Sequence, residues 1–439
     1  MTPLLPLPRG DASRRPTTDD RRPSAVGHWR VWGHPRIVRA IGGILTTAAG
    51  LCAPETYGVK RLTCLDGLRG ALALYVLLAH MAPFADLPAW ITSVLSHGEA
   101  GVDLFFTLSG LLIVQSLEHY DYHARPFLIA RVARTYPVFL PVFVLAIAVQ
   151  PLAMDFAAMP WIGPHSAART IWSDGWPASW AVVIASHLTM THGMVPNGVL
   201  PDLWVSFLGA AWSLSTEWQF YALVAVIGAR FGRGGRGQQG LVALLLGLAL
   251  ASVAWQAMVP LSWQFSRAFL PNKAMYFALG VASATLLAER CAWLYFVGVL
   301  GAVMLLCVLH DNALKLAAPL AWVVCLAAQS VESGGMPGRA AAWFGLRMLG
   351  VMLSSRLLCW FGAVSYSLYL VHEPIQKLLG VLLADMAGGR PLLFTLFWLP
   401  STTLLPIWAA SWLHHQIEVP ALRRGKVLAA AAWVSPVRA

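Results

Sequence analysis

Apolar residues fall in long runs along this chain, separated by short polar connections. Ten runs approach the roughly 20 residues that cross a bilayer as a helix: 66–84, 101–118, 136–154, 212–230, 240–258, 272–289, 292–309, 316–331, 357–379 and 392–415. Only helices and closed barrels satisfy the backbone in lipid. Runs of this length predict an all-α fold, a polytopic membrane bundle of about ten transmembrane helices. The run at 316–331 is the shortest. The stretch 181–195 is apolar but broken by His187, His192 and Pro196, which suits a re-entrant or interfacial segment. Residues 40–53 are apolar but too short to span and suit an interfacial helix. This pattern divides the chain into an amino-terminal extension (1–59), a transmembrane domain (60–420) with one sizeable external loop (155–211), and a tail (421–439).

Composition agrees with the pattern. Hydrophobic residues make up 58% of the 439 and charged residues only 12%, about half the share that covers a soluble domain. The net charge of +11 would suggest nucleic acid in a soluble protein. Here its distribution records orientation instead. Connections carrying several Arg or Lys (119–135, 231–239, 332–356 and the two ends) alternate nearly throughout with connections carrying one or none (85–100, 155–211, 259–271, 310–315, 380–391), and the short connection after 289, with Arg290, is the neutral case. That is the positive-inside arrangement for ten spans with both termini cytoplasmic, and it predicts a multi-pass protein of a bacterial inner membrane whose first partner is the lipid bilayer. The first 35 residues, rich in Arg, Pro and Asp, have no apolar core and read as a cytosolic tail rather than a signal peptide. The six cysteines form no C-x-x-C pair and read as small buried hydrophobes. No metal is expected.

Ionisable residues inside spans are functional candidates. Arg69 and His80 share the first span, eleven residues and about 16 Å apart along its axis, with both side chains on one face. Asp103 lies just inside the second span and Glu217 just inside the fourth. Both spans enter from outside. His372 and Glu373 lie about 22 Å along the ninth. On this reckoning the imidazoles and carboxylates share an outer depth, while Arg69, Arg131 and Arg134 gather at the cytoplasmic end. A basic inner end suits a polyanionic donor. An imidazole beside carboxylates suits a general base for a hydroxyl.

The residues that carry these charges also spell a family pattern. Leu65-Asp66-Gly67-Leu68-Arg69-Gly70 through His80 resembles the opening motif of the acyltransferase 3 family, including its Arg-x10-His spacing. Gly101-Val102-Asp103-Leu104-Phe105-Phe106-Thr107-Leu108-Ser109-Gly110 resembles the second-span motif. Arg131-Val132-Ala133-Arg134-x-x-Pro137 is similar to the third-span entry, and Trp212-Ser213-Leu214-Ser215-Thr216-Glu217-Trp218-Gln219-Phe220-Tyr221 to the fourth-span motif. Ser365 through His372 resembles the late-span motif, and Ser411 through Glu418-Val419-Pro420 the ending. Thr216-Glu217-Trp218 stands where the family often has Val-Glu-Glu. The resemblance implies an O-acyltransferase, most simply an O-acetyltransferase. It would take an acyl group from cytoplasmic acyl-CoA, acetyl-CoA above all, to a hydroxyl of a glycan or exopolysaccharide at the outer face. It implies His80 as base or acyl carrier, with Asp103 and Glu217 in support. Arg69, Arg131 and Arg134 would hold the donor's phosphates, and Ser109, Trp212, Tyr369 and His372 would stand beside the substrate. A polysaccharide synthesis or export complex is the expected protein partner, and nucleic acid is not.

Other features have plainer readings. Ser109 lacks a G-x-S-x-G elbow, and Ser-Gly suits packing at a helix crossing. His414-His415 has no ligand set around it. The glycine- and arginine-rich 230–237 segment lacks G-K-[ST]. Trp161, Trp172, Trp176, Trp180 and Trp204 fit an aromatic belt better than a sugar-stacking platform. A transporter or flippase for a lipid-linked glycan, using the intramembrane charges as a path, is the alternative function. It differs in moving its cargo unmodified. A purely structural subunit of an export complex is a third.

Overall fold

The computed structural model describes residues 62–434 apart from 153–155, 173–174, 232–234, 311–312 and 333–341. The amino-terminal extension, with its interfacial segment 40–53, lies outside the described residues, as do Arg233 and Arg339. Each of the ten apolar runs is a helix: α1 (Thr63–Met81), α2 (Gly98–His119), α3 (Ala124–Val149), α4 (Trp212–Phe231), α5 (Gly235–Met258), α6 (Leu270–Leu287), α7 (Trp293–Leu309), α8 (Ala317–Glu332), α9 (Arg356–Ala387) and α10 (Pro391–Leu413). A further helix, α11 (Val419–Val434), continues α10 through the π-helical turn His414–Glu418. The described residues contain no β-strand. Six helical segments are long and apolar enough to cross a membrane, or seven if Phe344–Leu353 and α9, bent by 55°, form one span. The architecture is an all-α membrane bundle. α4 and α6 reach 20 and 18 residues, and α7 only 17.

Local chemistry sets the helix ends. The Ser355 side chain caps α9 by accepting from the Leu358 amide at 3.4 Å, which satisfies one of the orphan donors of the first turn. Gly388, at φ 54°, ends the helix in the left-handed region that a side chain disfavours. Proline opens α6 and α10, where no amide is missed.

Glycines set how closely the helices pack. α1 packs most extensively on α9, and α2 on α6. At Gly70 a Cβ would meet the Leu358 carbonyl and at Gly362 the Asp66 carbonyl, so the two backbones touch there, as small residues permit in membrane helices. The contacts run Gly70 to Gly362, Arg69 to Ser365 and Leu77 to Gln376. α1 and α9 are therefore parallel. α2 returns antiparallel to α1, with Gly98 opposite Ala79. Gly110 and Gly280 make the same close crossing between α2 and α6.

The 155–211 loop is folded onto the bundle. Trp172 is buried, and with Phe84, Phe394 and Trp398 it forms an aromatic cluster at the His80 end of α1. Trp161 joins this cluster and donates to the Phe84 carbonyl at 3.0 Å. These two tryptophans pack against protein, whereas Trp176 and Trp180 stay exposed. Apolar 181–195 forms a short helix, Trp180–Leu188, and a turn that docks on the start of α4. There the Gly193 amide donates to Ser215 Oγ at 3.1 Å, Ser215 donates to the Met190 carbonyl at 2.7 Å, and His192 Nε2 lies 3.1 Å from the Ala211 carbonyl. The His187 and His192 rings stack at 4.0 Å, both buried.

Burial holds His192 at a pKa of about 4 and His187 well below its ordinary value, with the neighbouring imidazole adding to the effect on His187. An undocked turn would expose imidazoles that take up protons below about pH 6.5. Since the undocked state binds more protons, docking is strongest above that pH and weakens as pH falls toward 4. The shift at His192 alone corresponds to about 3 kcal/mol. Hydrogen exchange at the Met190–Gly193 amides should be slow and pH-independent in its opening equilibrium above pH 7, and should show rising opening from pH 6.5 to 4. An opening equilibrium that stays flat over that range would contradict this account.

Candidate functional site

Between α1, α2, α3, α4 and α9 lies a cavity of about 340 Å3. Arg69, Ser109, Arg131, Arg134, Ser213, Glu217, Tyr221, Ser365, Tyr366 and Tyr369 supply its polar lining, and Val102, Phe105, Phe106, Leu108 and Leu214 much of the apolar wall. Its polar end is set by the α1–α9 crossing. Gly70 and Gly362 bring the helices together, and Arg69 Nη2 then sits 3.4 Å from Ser365 Oγ. Across the cavity Ser109, beside the Gly110 crossing, donates to Glu217 Oε1 at 2.7 Å.

The three guanidinium groups differ in their partners. Arg134 Nη1 pairs with Glu418 Oε1 at 3.1 Å, and its guanidinium lies over the Tyr366 ring. Glu418 is fully buried and also accepts from Ser367 and lies 2.9 Å from His414 Nδ1. Arg131 donates to Ser116 Oγ at 2.9 Å and lies 5.7 and 5.8 Å from the Phe127 and Tyr221 ring centroids, while its buried Nε has no partner. Among the described residues, neither Arg69 nor Arg131 forms a salt bridge. Guanidinium groups outside salt bridges offer donors to an anion in the cavity, which the Glu217 carboxylate also lines, and Arg in particular suits phosphate.

Beyond Tyr369 lie the histidines. His80 and His372 meet edge to face with ring centroids 4.9 Å apart. Neither ring lines the cavity. His80 Nδ1 is 2.8 Å from the Val76 carbonyl, and His372 Nδ1 is 3.2 Å from the Leu368 carbonyl. A carbonyl only accepts, so in each ring Nδ1 carries a hydrogen. His372 is buried, and its Nε2 has no partner. Glu373, the next residue, accepts from the Gly209 and Ala210 amides at 2.9 and 2.6 Å, which holds the chain entering α4 against α9.

The structure therefore brings Arg69, Arg131, Arg134, Ser109, Glu217 and Tyr369 together on one cavity and sets His80 and His372 next to it. Glu217 lies at the arginine end, bonded to Ser109, not at the depth of His80. Ser109 is both a crossing residue and a polar group of the lining. Asp103 does not line the cavity. It is buried against Lys273 Nζ at 2.7 Å, and the same ammonium reaches Glu99 at 2.7 Å. Trp212 lies behind the wall, packed on Phe106 with Lys273 over its ring. Sequence reasoning missed Lys273, although a lysine inside an apolar run was a signal. It also gave no role to Glu418, Ser213, Tyr366 or Tyr221, which lay within quoted motifs. No group of three His, Cys, Asp or Glu side chains placed to hold a metal occurs among the described residues.

A family model described as an acyltransferase domain matches residues 62–411, most of the chain and all of the cavity lining. No curated protein and no solved structure matches it.

The Lys273–Asp103 pair makes a prediction about Asp103. Removing one member of a buried pair costs about 3–5 kcal/mol, whereas removing both charges is often near neutral. Lys273→Met should lower the thermal unfolding midpoint in detergent, and Asp103→Asn added to it should recover much of the loss. If the double variant is as unstable as the two single losses summed, the pair is not what holds Asp103.

Proposed function

The chain belongs to the acyltransferase 3 family, a family of membrane acyltransferases, and on that premise we propose that it is a membrane O-acyltransferase carrying an acyl group, acetyl in the simplest case, from acyl-CoA to a hydroxyl of a glycan or exopolysaccharide. The observation that carries the proposal is the pairing of two ends. One is a cavity with two guanidinium groups outside any salt bridge, Arg69 and Arg131. The other is a pair of imidazoles in ring contact, each with Nδ1 against a helix carbonyl, and His372 Nε2 has no partner. Arg69 and His80 are eleven residues apart on one helix, about 16 Å along its axis. A long donor with a phosphorylated head and a thin pantetheine arm suits that distance.

In the proposed reaction the arginine end binds the donor's phosphates by charge-assisted hydrogen bonds. The acceptor hydroxyl meets His80 Nε2. Its oxygen bonds to the thioester carbon as the imidazole takes the proton. The tetrahedral adduct collapses with loss of the C–S bond, and the leaving thiolate takes the proton from the His80 imidazolium. His372 stands within ring contact of His80 and supplies a second basic nitrogen beside it. Glu373 anchors the entry to α4, and Glu217 with Ser109 fixes the polar wall near Arg69. Donor entry from the cytoplasm, acceptor entry from the opposite face and both termini on the cytoplasmic side belong to this proposal, supported by the distribution of Arg and Lys along the connections. Residence in an inner membrane and association with a glycan synthesis or export complex follow from the same reading.

Membranes containing the protein, supplied with acetyl-CoA labelled in the acetyl group, should transfer label to envelope glycan. His80→Ala should lower the rate by about a hundredfold or more, the usual worth of a general base. Arg131→Gln should raise KM for acetyl-CoA more than it lowers kcat. Movement of an unmodified glycan across the membrane, with no labelled product, would replace the enzyme by a transporter.

A further inference from the structure

The cavity stops short of the histidines, and the stop is built from specific contacts. Ser213 Oγ donates to the Tyr369 hydroxyl at 3.0 Å. The Phe105 ring stands edge-on to Tyr369 at 6.2 Å, and the Tyr369 ring is 6.1 Å from that of His372. Both Ser213 and Tyr369 line the cavity, while His80 and His372 lie behind them. The backing is firm on both sides. Ser213 Oγ is also 3.3 Å from the Ala210 carbonyl, and the Ala210 amide is held by Glu373. Tyr369 and Glu373 are four residues apart on α9, so one helix face grips the first turn of α4 at Ser213 and the turn just before it at Gly209 and Ala210. Behind this wall His372 has a buried, unpartnered Nε2, a costly arrangement for a polar atom that no group ever reaches.

We propose that Tyr369, latched by Ser213, is a gate between the arginine cavity and the histidine pair, closed in the empty protein and displaced by the thin end of the donor. The proposal rests on the acyl-transfer reading for its purpose but on geometry for its existence. A thioester at His80 faces two possible acceptors, a sugar hydroxyl and water. With water, the water oxygen bonds to the acyl carbon, the C–S bond breaks and the thiolate takes the proton, which wastes the donor. A tyrosine ring that fills the passage whenever the donor is absent keeps cavity water from the imidazoles. When the arm enters, the ring swings aside and the arm occupies the space it leaves. The hydroxyl gives the gate its threshold. The ring gives it bulk, so Tyr369 also sets how wide a group can pass.

Two measurements on the purified, intact protein test this, one of them independent of acyl transfer. The first is the rate of carbethoxylation of His372 by diethyl pyrocarbonate, followed by mass spectrometry. The second is release of CoA from acetyl-CoA in the absence of any glycan. Ser213→Ala and Tyr369→Phe each remove the latch but keep the ring, and each should raise both rates by about fivefold, the factor a neutral hydrogen bond is worth. The double variant should show no further rise, because the two groups share one bond. Tyr369→Ala removes the ring and should raise both rates further. Ser213→Ala is a small change, so the test does not depend on the fold surviving the larger one. If His372 labelling stays at the parental rate in Ser213→Ala and Tyr369→Phe, or rises additively in the double variant, the gate is overturned. If labelling rises as expected but acetyl-CoA is never cleaved, the gate stands and the acyl-transfer reading falls.

Discussion

The backbone contact of α1 with α9 is the constraint from which the rest of the site follows. At Gly70 and Gly362 there is no room for a Cβ, because carbonyls of the facing helix occupy that space, and at Gly67 the Leu353 carbonyl, just before α9, does the same. Two parallel helices locked at one end keep their register along the whole contact. Arg69 therefore meets Ser365, and two to three turns further on His80 meets His372. Both ends of the site are fixed by one crossing, whose driving force in lipid is packing rather than the hydrophobic effect. The Gly110–Gly280 crossing of α2 with α6 plays the matching part across the cavity, since it fixes Ser109 opposite Glu217.

Charge completes what packing begins. In a low-dielectric bundle an ionised group needs a partner or a water-filled space. The carboxylates and cations divide cleanly on this rule. Asp103 with Lys273, and Glu418 with Arg134, are hydrogen-bonded pairs that tie α2 to α6 and α3 to the π-turn before α11. A π-turn widens the helix locally, and such turns cluster at functional sites. Here it carries Glu418 and its neighbour His414 to Arg134. Arg69 and Arg131 face the cavity outside any such pair. Both line the cavity that Glu217 also lines, so charge of both signs meets there.

Much of this was legible in the sequence. Apolar run length located all ten helices to within a few residues at most ends, because in lipid length and hydrophobicity decide the matter almost alone. α3 begins twelve residues early, since its amphipathic first turns carry Arg125, Arg131 and Arg134 and so fall outside an apolar run. Arg69 was found because ionisable groups in spans are few, and Arg131 and Arg134 through their place at the cytoplasmic end and in the family's third-span motif. Depth was harder. Glu217 was placed near His80 by counting from the start of α4, on the premise that a helix start lies at the membrane surface. Trp212 is instead buried beneath the docked 190–211 segment, so the count began too deep. Asp103 suited a carboxylate in support of His80 until its partner was known. Lys273 is 170 residues away in sequence, and no local pattern announces such a pair. Trp161 and Trp172 followed the same course: an aromatic belt and an aromatic core have the same composition, and only the fold of the loop separates them.

The separation of arginines from histidines has a chemical logic of its own. Phosphate binding calls for cations and tolerates water, whereas a neutral imidazole base is weakened by nearby positive charge and a thioester beside it is wasted by water. One open chamber would compromise both ends. Tyr369 stands between guanidinium groups on one side and, on the other, two rings whose Nδ1 atoms lie against their own helix carbonyls. Those carbonyl contacts orient both rings through backbone geometry rather than through a carboxylate. A histidine oriented in this way needs no buried acid behind it.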